Sequence, residues 1–162
     1  MYFSLLDVWQ KINTAPVCFG ARDNKYGAFN VTRTGRVRTM KLVRRRGTIR
    51  CNTEDDPSYW GCRFSVNYAK NTSLTIITNS KREAILPPHE ELQETQGCKK
   101  LHFYFLEGFA HNSPELRFPN LSSPLSLLRH QELQIWYGQD FGDCSEYNNS
   151  GSTCVDVYAW YI

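Results

Sequence analysis

No run of apolar residues in the chain approaches the roughly 18 to 20 needed for a membrane-spanning helix, which excludes an integral helical membrane protein. None of the six cysteines falls in a C-x-x-C pair, which argues against a zinc ribbon or a thioredoxin-like redox motif. His89, His102, His111 and His130 show no H-x-x-x-H spacing, so a histidine zinc site is not expected. There is no G-x-S-x-G elbow and no cysteine-protease signature, and Asp140-Phe141-Gly142 occurs without the glycine-rich and catalytic loops that give this tripeptide meaning in kinases. These absences argue against an enzyme. The opening stretch MYFSLLDVWQ lacks the basic segment of a secretory signal.

Charge of one sign is also missing over long stretches. No Asp or Glu occurs from Asn24 through Thr53, and no Lys or Arg occurs after Arg129. The formal net charge is only +3, so local fields matter more than the total. With 162 residues, 41% hydrophobic and 22% charged, the composition is that of a globular chain about one domain long.

What is present points outside the cytosol. Cys18, Cys51, Cys62, Cys98, Cys144 and Cys154 make an even set, read here as disulfides. Six cysteines allow about 15 connectivities. Proximity favours Cys51 with Cys62 and Cys144 with Cys154, leaving Cys18 with Cys98. Asn30, Asn71, Asn120 and Asn148 each begin an N-x-[ST] sequon, a glycosylation signal that requires the secretory route. The expectation is an extracellular glycoprotein, either a mature chain or a module cut from a longer secreted protein.

The first segment, SLLDVWQKIN over 4–13, has Leu5, Trp9 and Ile12 at helical spacing with Ser4 placed to cap, and predicts one short N-terminal helix. From Tyr26 onward the pattern becomes short β-rich runs separated by turn residues: 26–32, 36–43, 47–51, 63–68, 74–78, 100–106, 132–137 and 154–162. Runs of this kind predict an all-β, disulfide-stapled β-sandwich, jelly-roll-like. The division is a helix or leader over 1–17 and one sandwich domain over 18–162. Residues 86–97, with Pro87, Pro88 and three glutamates, read as an exposed loop.

Three places carry candidate chemistry. Between the last two strands, Asp140, Asp143, Glu146 and Asn148, joined by Asp156 from the final strand, offer the oxygen ligands that Ca²⁺ requires, although their spacing does not match the EF-hand loop. Arg44, Arg45, Arg46 and Gly47 fall where a hairpin turn is expected between strands 36–43 and 47–51, presenting guanidiniums able to grip sulfates or carboxylates. In an extracellular setting the matching polyanion is a sulfated glycan or an acidic matrix protein, not nucleic acid. Tyr59 and Trp60, in the loop between Cys51 and Cys62, are placed either to stack on a sugar or to plug one end of the sandwich.

The segments CFGARDNKYGAFNV, MKLVRRRGTIRC, YWGC and ELQIWYGQDFGDCSEYNNSGSTCVDVYAWYI resemble extracellular modules of coral and sea-anemone secreted and matrix proteins. The resemblance spans Cys18 to Ile162; it implies an extracellular location and carries no binding residue with it. The functional expectation is a secreted, lectin-like binding or adhesion module, with Ca²⁺ as the expected cofactor, recognising a glycan or an acidic matrix component. Two alternatives stand beside it: a membrane-active protein that meets a lipid surface through its basic and aromatic groups, and a small glycan hydrolase. The sequence gives no oligomeric state.

Overall fold

A computed structural model describes residues 8–63, 68 and 71–162. In chain order the strands are β1 (Trp9–Lys11), β2 (Val17–Gly20), β3 (Gly27–Asn30), β4 (Gly35–Arg50), β5 (Thr72–Ser73) and β6 (Thr75–Asn79). They continue as β7 (Ala84–Leu86), β8 (Tyr104–Phe105), β9 (Glu115–Arg117), β10 (Leu125–Leu127), β11 (Glu132–Tyr137) and β12 (Ser150–Tyr161), with one short helix, α1 (Gly138–Gly142), between the last two. The larger sheet runs β1-β12-β4-β10, with β2 also on β12 and β9 also on β4. The smaller runs β3-β11-β6-β7, and β5 with β8 forms a separate pair.

The predicted all-β sandwich is what forms. Strands in a sheet point alternate side chains to opposite faces, so apolar residues two apart gather on one side. In β12 that rule buries Val155, Val157 and Ala159; in β11 it buries Leu133, Ile135 and Tyr137. These residues join Phe19, Val37, Met40, Leu42 and Ile77 in one apolar cluster. The other face of β11 is covered as well. Trp136 is buried, with the Tyr26 ring stacked 4.6 Å from it and the Arg82 guanidinium 4.4 Å above it.

Several local expectations are corrected. The predicted helix over 4–13 falls partly outside the described residues, and within them Trp9–Lys11 is a strand paired with β12, Trp9 facing Trp160. Ring packing and the unsatisfied edge of β12 outweigh the helical spacing of a short segment, whose intrinsic helix stability is small. The predicted strand over 63–68 lies mostly outside the described residues. The hairpin at Arg44–Gly47 does not exist: residues 35–50 form one continuous strand along β12. The ladder shifts register there, Arg46 facing Cys154 and Arg44 facing Val155, so Arg45 is the extra residue of a β-bulge. Gly47 has φ +85° and lies so near Ser152 O that a Cβ would sit 2.1 Å from it. Its freedom serves a bulge instead of a turn.

The disulfide pairing is also corrected. Cys51 joins Cys62 as expected, but Cys18 joins Cys154 and Cys98 joins Cys144. Pairing β2 on β12 sets Cys18 directly opposite Cys154, with Cα atoms 4.0 Å apart. Sheet register, which sequence distance ignores, decides the partner.

Candidate functional site

The acidic segment after β11 folds into a tightly held loop. Gly138 opens it against the carbonyl of His102, where any Cβ would lie 1.9 Å from that oxygen. Asp143 and Ser145 take left-handed φ values of 52° and 56°, turning the chain sharply after α1; an Asp tolerates this conformation better than most residues. Asp140 is fully buried, and its carboxylate oxygens accept the backbone N–H groups of Asn24 at 2.8 Å and Lys25 at 3.0 Å. Those bonds fasten the loop to the turn between β2 and β3. Arg82 donates to the Phe141 carbonyl, Arg22 donates to Tyr147 O at 2.7 Å, and Asn149 Nδ2 donates to Ala21 O at 3.1 Å. The Cys98–Cys144 bridge anchors the loop on its other side.

Electrostatics single out Glu146. Burial, followed by the neighbouring carboxyls of Asp140 and Asp143, pushes its carboxyl up to about 7. Crowded carboxylates resist joint ionisation unless a cation compensates them. Among the described residues no lysine or arginine forms an ion pair with any of the three; the pairs present are Lys11 and Arg45 with Asp156, Arg22 with Asp23, and Lys41 with Glu115. Glu146 Oε2 and Asn149 Oδ1 are buried without a hydrogen-bond partner, and the Asn149 N–H donates to Glu146 O at 2.9 Å. Carboxylate and amide oxygens without donors are the ligand chemistry of a hard cation such as Ca²⁺.

Among the described residues, the sets whose possible ligand atoms lie within 4.8 Å of one another are Cys98, His102 and Cys144, and Cys51, Asp55 and Cys62. In both sets the sulfurs are spent in disulfides, which leaves no metal ligation to them. Asp140, Asp143 and Glu146 are not drawn together that tightly.

Two exposed rings flank this loop. Tyr147, within it, is 80% exposed, and Tyr26, two residues beyond Asn24, is 40% exposed. Tyr26 also borders a shallow hollow with Gly20, Lys25, Gly151 and Ser152. Carboxylates beside accessible aromatic faces can both hydrogen-bond and stack on a ring-shaped polar ligand.

No protein-family model matches the chain, and no curated protein matches it. Among solved structures it is similar to AJLec from the sea anemone Anthopleura japonica. The TM-score is 0.79 at 28% identity, over 95% of this chain and 97% of that one. The shared fold thus covers both chains nearly end to end, and the neighbour's source agrees with the sea-anemone resemblance read from the sequence.

The structure brings Asp140, Asp143 and Glu146 together and separates the other expected ligands from them. Asp156 lies on β12, buried beneath Lys11 and Arg45 and accepting from Asn13 Nδ2 at 3.0 Å, so it is committed elsewhere. Asn148 borders a depression lined by Asn52, Thr53 and Glu54. Arg44 is held by its own strand: Nε donates to Gly47 O at 3.0 Å, and the guanidinium lies 4.0 Å over the Tyr59 ring. Arg45 pairs with Asp156 at 3.6 Å, and Arg46 is exposed. Trp60 is fully buried and donates to Ser113 O at 2.8 Å; it plugs the fold and offers no face to a ligand. Of the sequon asparagines, Asn30 and Asn120 are exposed while Asn71 and Asn148 are half-buried.

Sequence reasoning passed over Asn149, Tyr147, Tyr26 and the N–H groups of Asn24 and Lys25. Asn149 and Tyr147 stand within the acidic stretch and were available to composition. Tyr26 and the two amides reach the loop only through long-range packing.

Proposed function

We propose that this protein is a secreted glycan-binding module whose acidic loop recognises sugar hydroxyls with the help of a calcium ion. The observation that carries the reading is the crowding of Asp140, Asp143 and Glu146, with which no lysine or arginine among the described residues forms an ion pair, beside the exposed rings of Tyr26 and Tyr147. Asp143, Glu146 and Asn149 would hold the ion, with Asp140 fixing the loop through its two backbone bonds. Bound calcium would supply a charge centre for vicinal hydroxyls. Three disulfides fit an oxidising, extracellular setting. The lectin-like name of the sea-anemone neighbour, at 28% identity over nearly the whole chain, supports carbohydrate recognition as the class of activity.

The test is binding to an array of neutral and acidic glycans with calcium and with chelator. Binding lost in chelator and in Asp143→Asn with Glu146→Gln is expected; binding indifferent to both would remove the loop from the function. A second reading draws on the same carboxyl: a group pushed up to about 7 beside two further carboxyls is the signature of a general acid in glycoside hydrolysis. Asp143 and Tyr147 of the loop are exposed, an open presentation that favours binding. Release of a chromophore from aryl glycosides, abolished by Glu146→Gln, would reverse that preference.

A further inference from the structure

The basic residues that do not form a hairpin tip collect elsewhere. In an antiparallel sheet, directly paired residues share a face. Lys11 faces Tyr158, Tyr158 faces Lys41 and Lys41 faces Arg117, so one row crosses β1, β12, β4 and β9. At the usual strand spacing this row is roughly 15 Å long. In the adjacent row Trp9 faces Trp160, their ring centroids 5.5 Å apart.

Cations cover this Trp pair. Arg38, displaced by the second irregularity of β4, lies 5.1 Å over Trp160; Arg117 lies 5.3 Å from each indole; Lys41 Nζ lies 4.7 Å over Trp9. The described acids of the region are already matched, Glu115 with Lys41 at 3.3 Å and the buried Asp156 with Lys11 and Arg45. Among the described residues neither Arg38 nor Arg117 meets a carboxylate, and both are exposed.

From this placement we infer that the outer face of β1, β12, β4 and β9 binds a linear sulfated polysaccharide, through a site separate from the acidic loop and independent of calcium. Planar guanidiniums present paired N–H donors that match sulfate and carboxylate geometry. Holding them against indole rings restricts their rotamers before binding and so lowers the ordering cost of capture. Two such faces repel each other, which disfavours a second copy of this chain as the occupant. Trp9, Tyr158 and Trp160 are half-buried, with cations over their rings, which disfavours insertion into a membrane. An extended polyanion satisfies a flat, cationic, ring-lined surface.

Heparin is the probe, measured in chelator so that failure of the calcium-site reading cannot affect the result. Wild-type protein should bind and elute at a salt concentration well above that from a neutral-glycan column, since the contacts are ionic. Arg38→Gln with Arg117→Gln should weaken binding at least tenfold, because hydrogen bonds between charged partners are among the stronger polar contacts. Arg46→Gln with Arg50→Gln, the same charge change elsewhere on β4, should weaken it far less. Arg117→Glu on the short strand β9 is a second variant, expected to lose at least as much, and circular dichroism reports whether each variant is folded. No heparin retention, equal loss in both double variants, or preference for phosphatidylserine vesicles over heparin would each overturn the inference.

Discussion

Glu146 offers the sharpest test of the acidic loop. Moving a carboxyl from 4.5 to about 7 corresponds in full to about 3 kcal/mol between its protonation states. Solvent reaches this half-buried group, and screening reduces the cost to about 1 to 2 kcal/mol. The sign follows from linkage: the folded state binds the proton more tightly than the unfolded one, so the contribution is present below about pH 4.5 and is lost as pH rises toward about 7. Without calcium, therefore, the melting temperature should fall across that window. A cation in the loop reverses the penalty. At a dissociation constant of about 10⁻⁴ to 10⁻³ M, usual for extracellular calcium modules, about 10 mM calcium adds roughly 1.4 to 2.7 kcal/mol. For a chain of this size that is a rise of about 3 to 10 °C. The rise should be larger at pH 7.5 than at pH 5, where protons compete with the ion. Scanning calorimetry from pH 5 to 8, with calcium, magnesium or chelator, measures all of this. Glu146→Gln should flatten the pH dependence, melt higher than wild type in chelator at pH 7.5, and lose most of the calcium shift. A wild-type melting point that neither declines from pH 5 to 7.5 in chelator nor rises with calcium would refute the reasoning.

Other outcomes follow from the same geometry. Asp140→Ala should cost about 1 to 3 kcal/mol even in chelator, because it removes a buried carboxylate that accepts the backbone N–H groups of Asn24 and Lys25; a purely metal-dependent effect in melting experiments would contradict this. Trp60→Ala should cost about 3 to 5 kcal/mol as a buried cavity and a lost bond to Ser113, visible as a lower urea midpoint, whereas a surface ring would cost little. Replacing Cys18 and Cys154 with alanine opens a closure of 136 residues and should cost about 2 to 5 kcal/mol. Peptide mapping without reductant should recover Cys98 linked to Cys144, and recovery of Cys144 linked to Cys154 would contradict the fold.

The last two strands were legible because their chemistry is local. Strict alternation in ELQIWY predicts 132–137, and β11 occupies those residues. The C-terminal alternation predicts 154–162, and β12 extends it back to Ser150. The Arg44–Gly47 stretch misled because arginines beside a glycine look alike in a turn and in a bulge; only the ladder with β12 distinguishes them. Trp9 misled because three residues of strand carry too few side chains to separate helical from extended spacing. Of the expected acidic cluster, Asp140, Asp143 and Glu146 were readable from composition, while Asp156 shared their charge but not their place.

The chain by itself determined its class: alternating apolar residues require sheets with a shared interior, and an even set of cysteines among sequons describes a protein built for oxidising surroundings. The tertiary structure alone decided which cysteines meet, which carboxylates crowd and which arginines lie against tryptophan. Each of those depends on strand register, and register is set by the simultaneous packing of segments more than a hundred residues apart, as Cys18 and Cys154 are, a distance across which sequence spacing holds no geometric information.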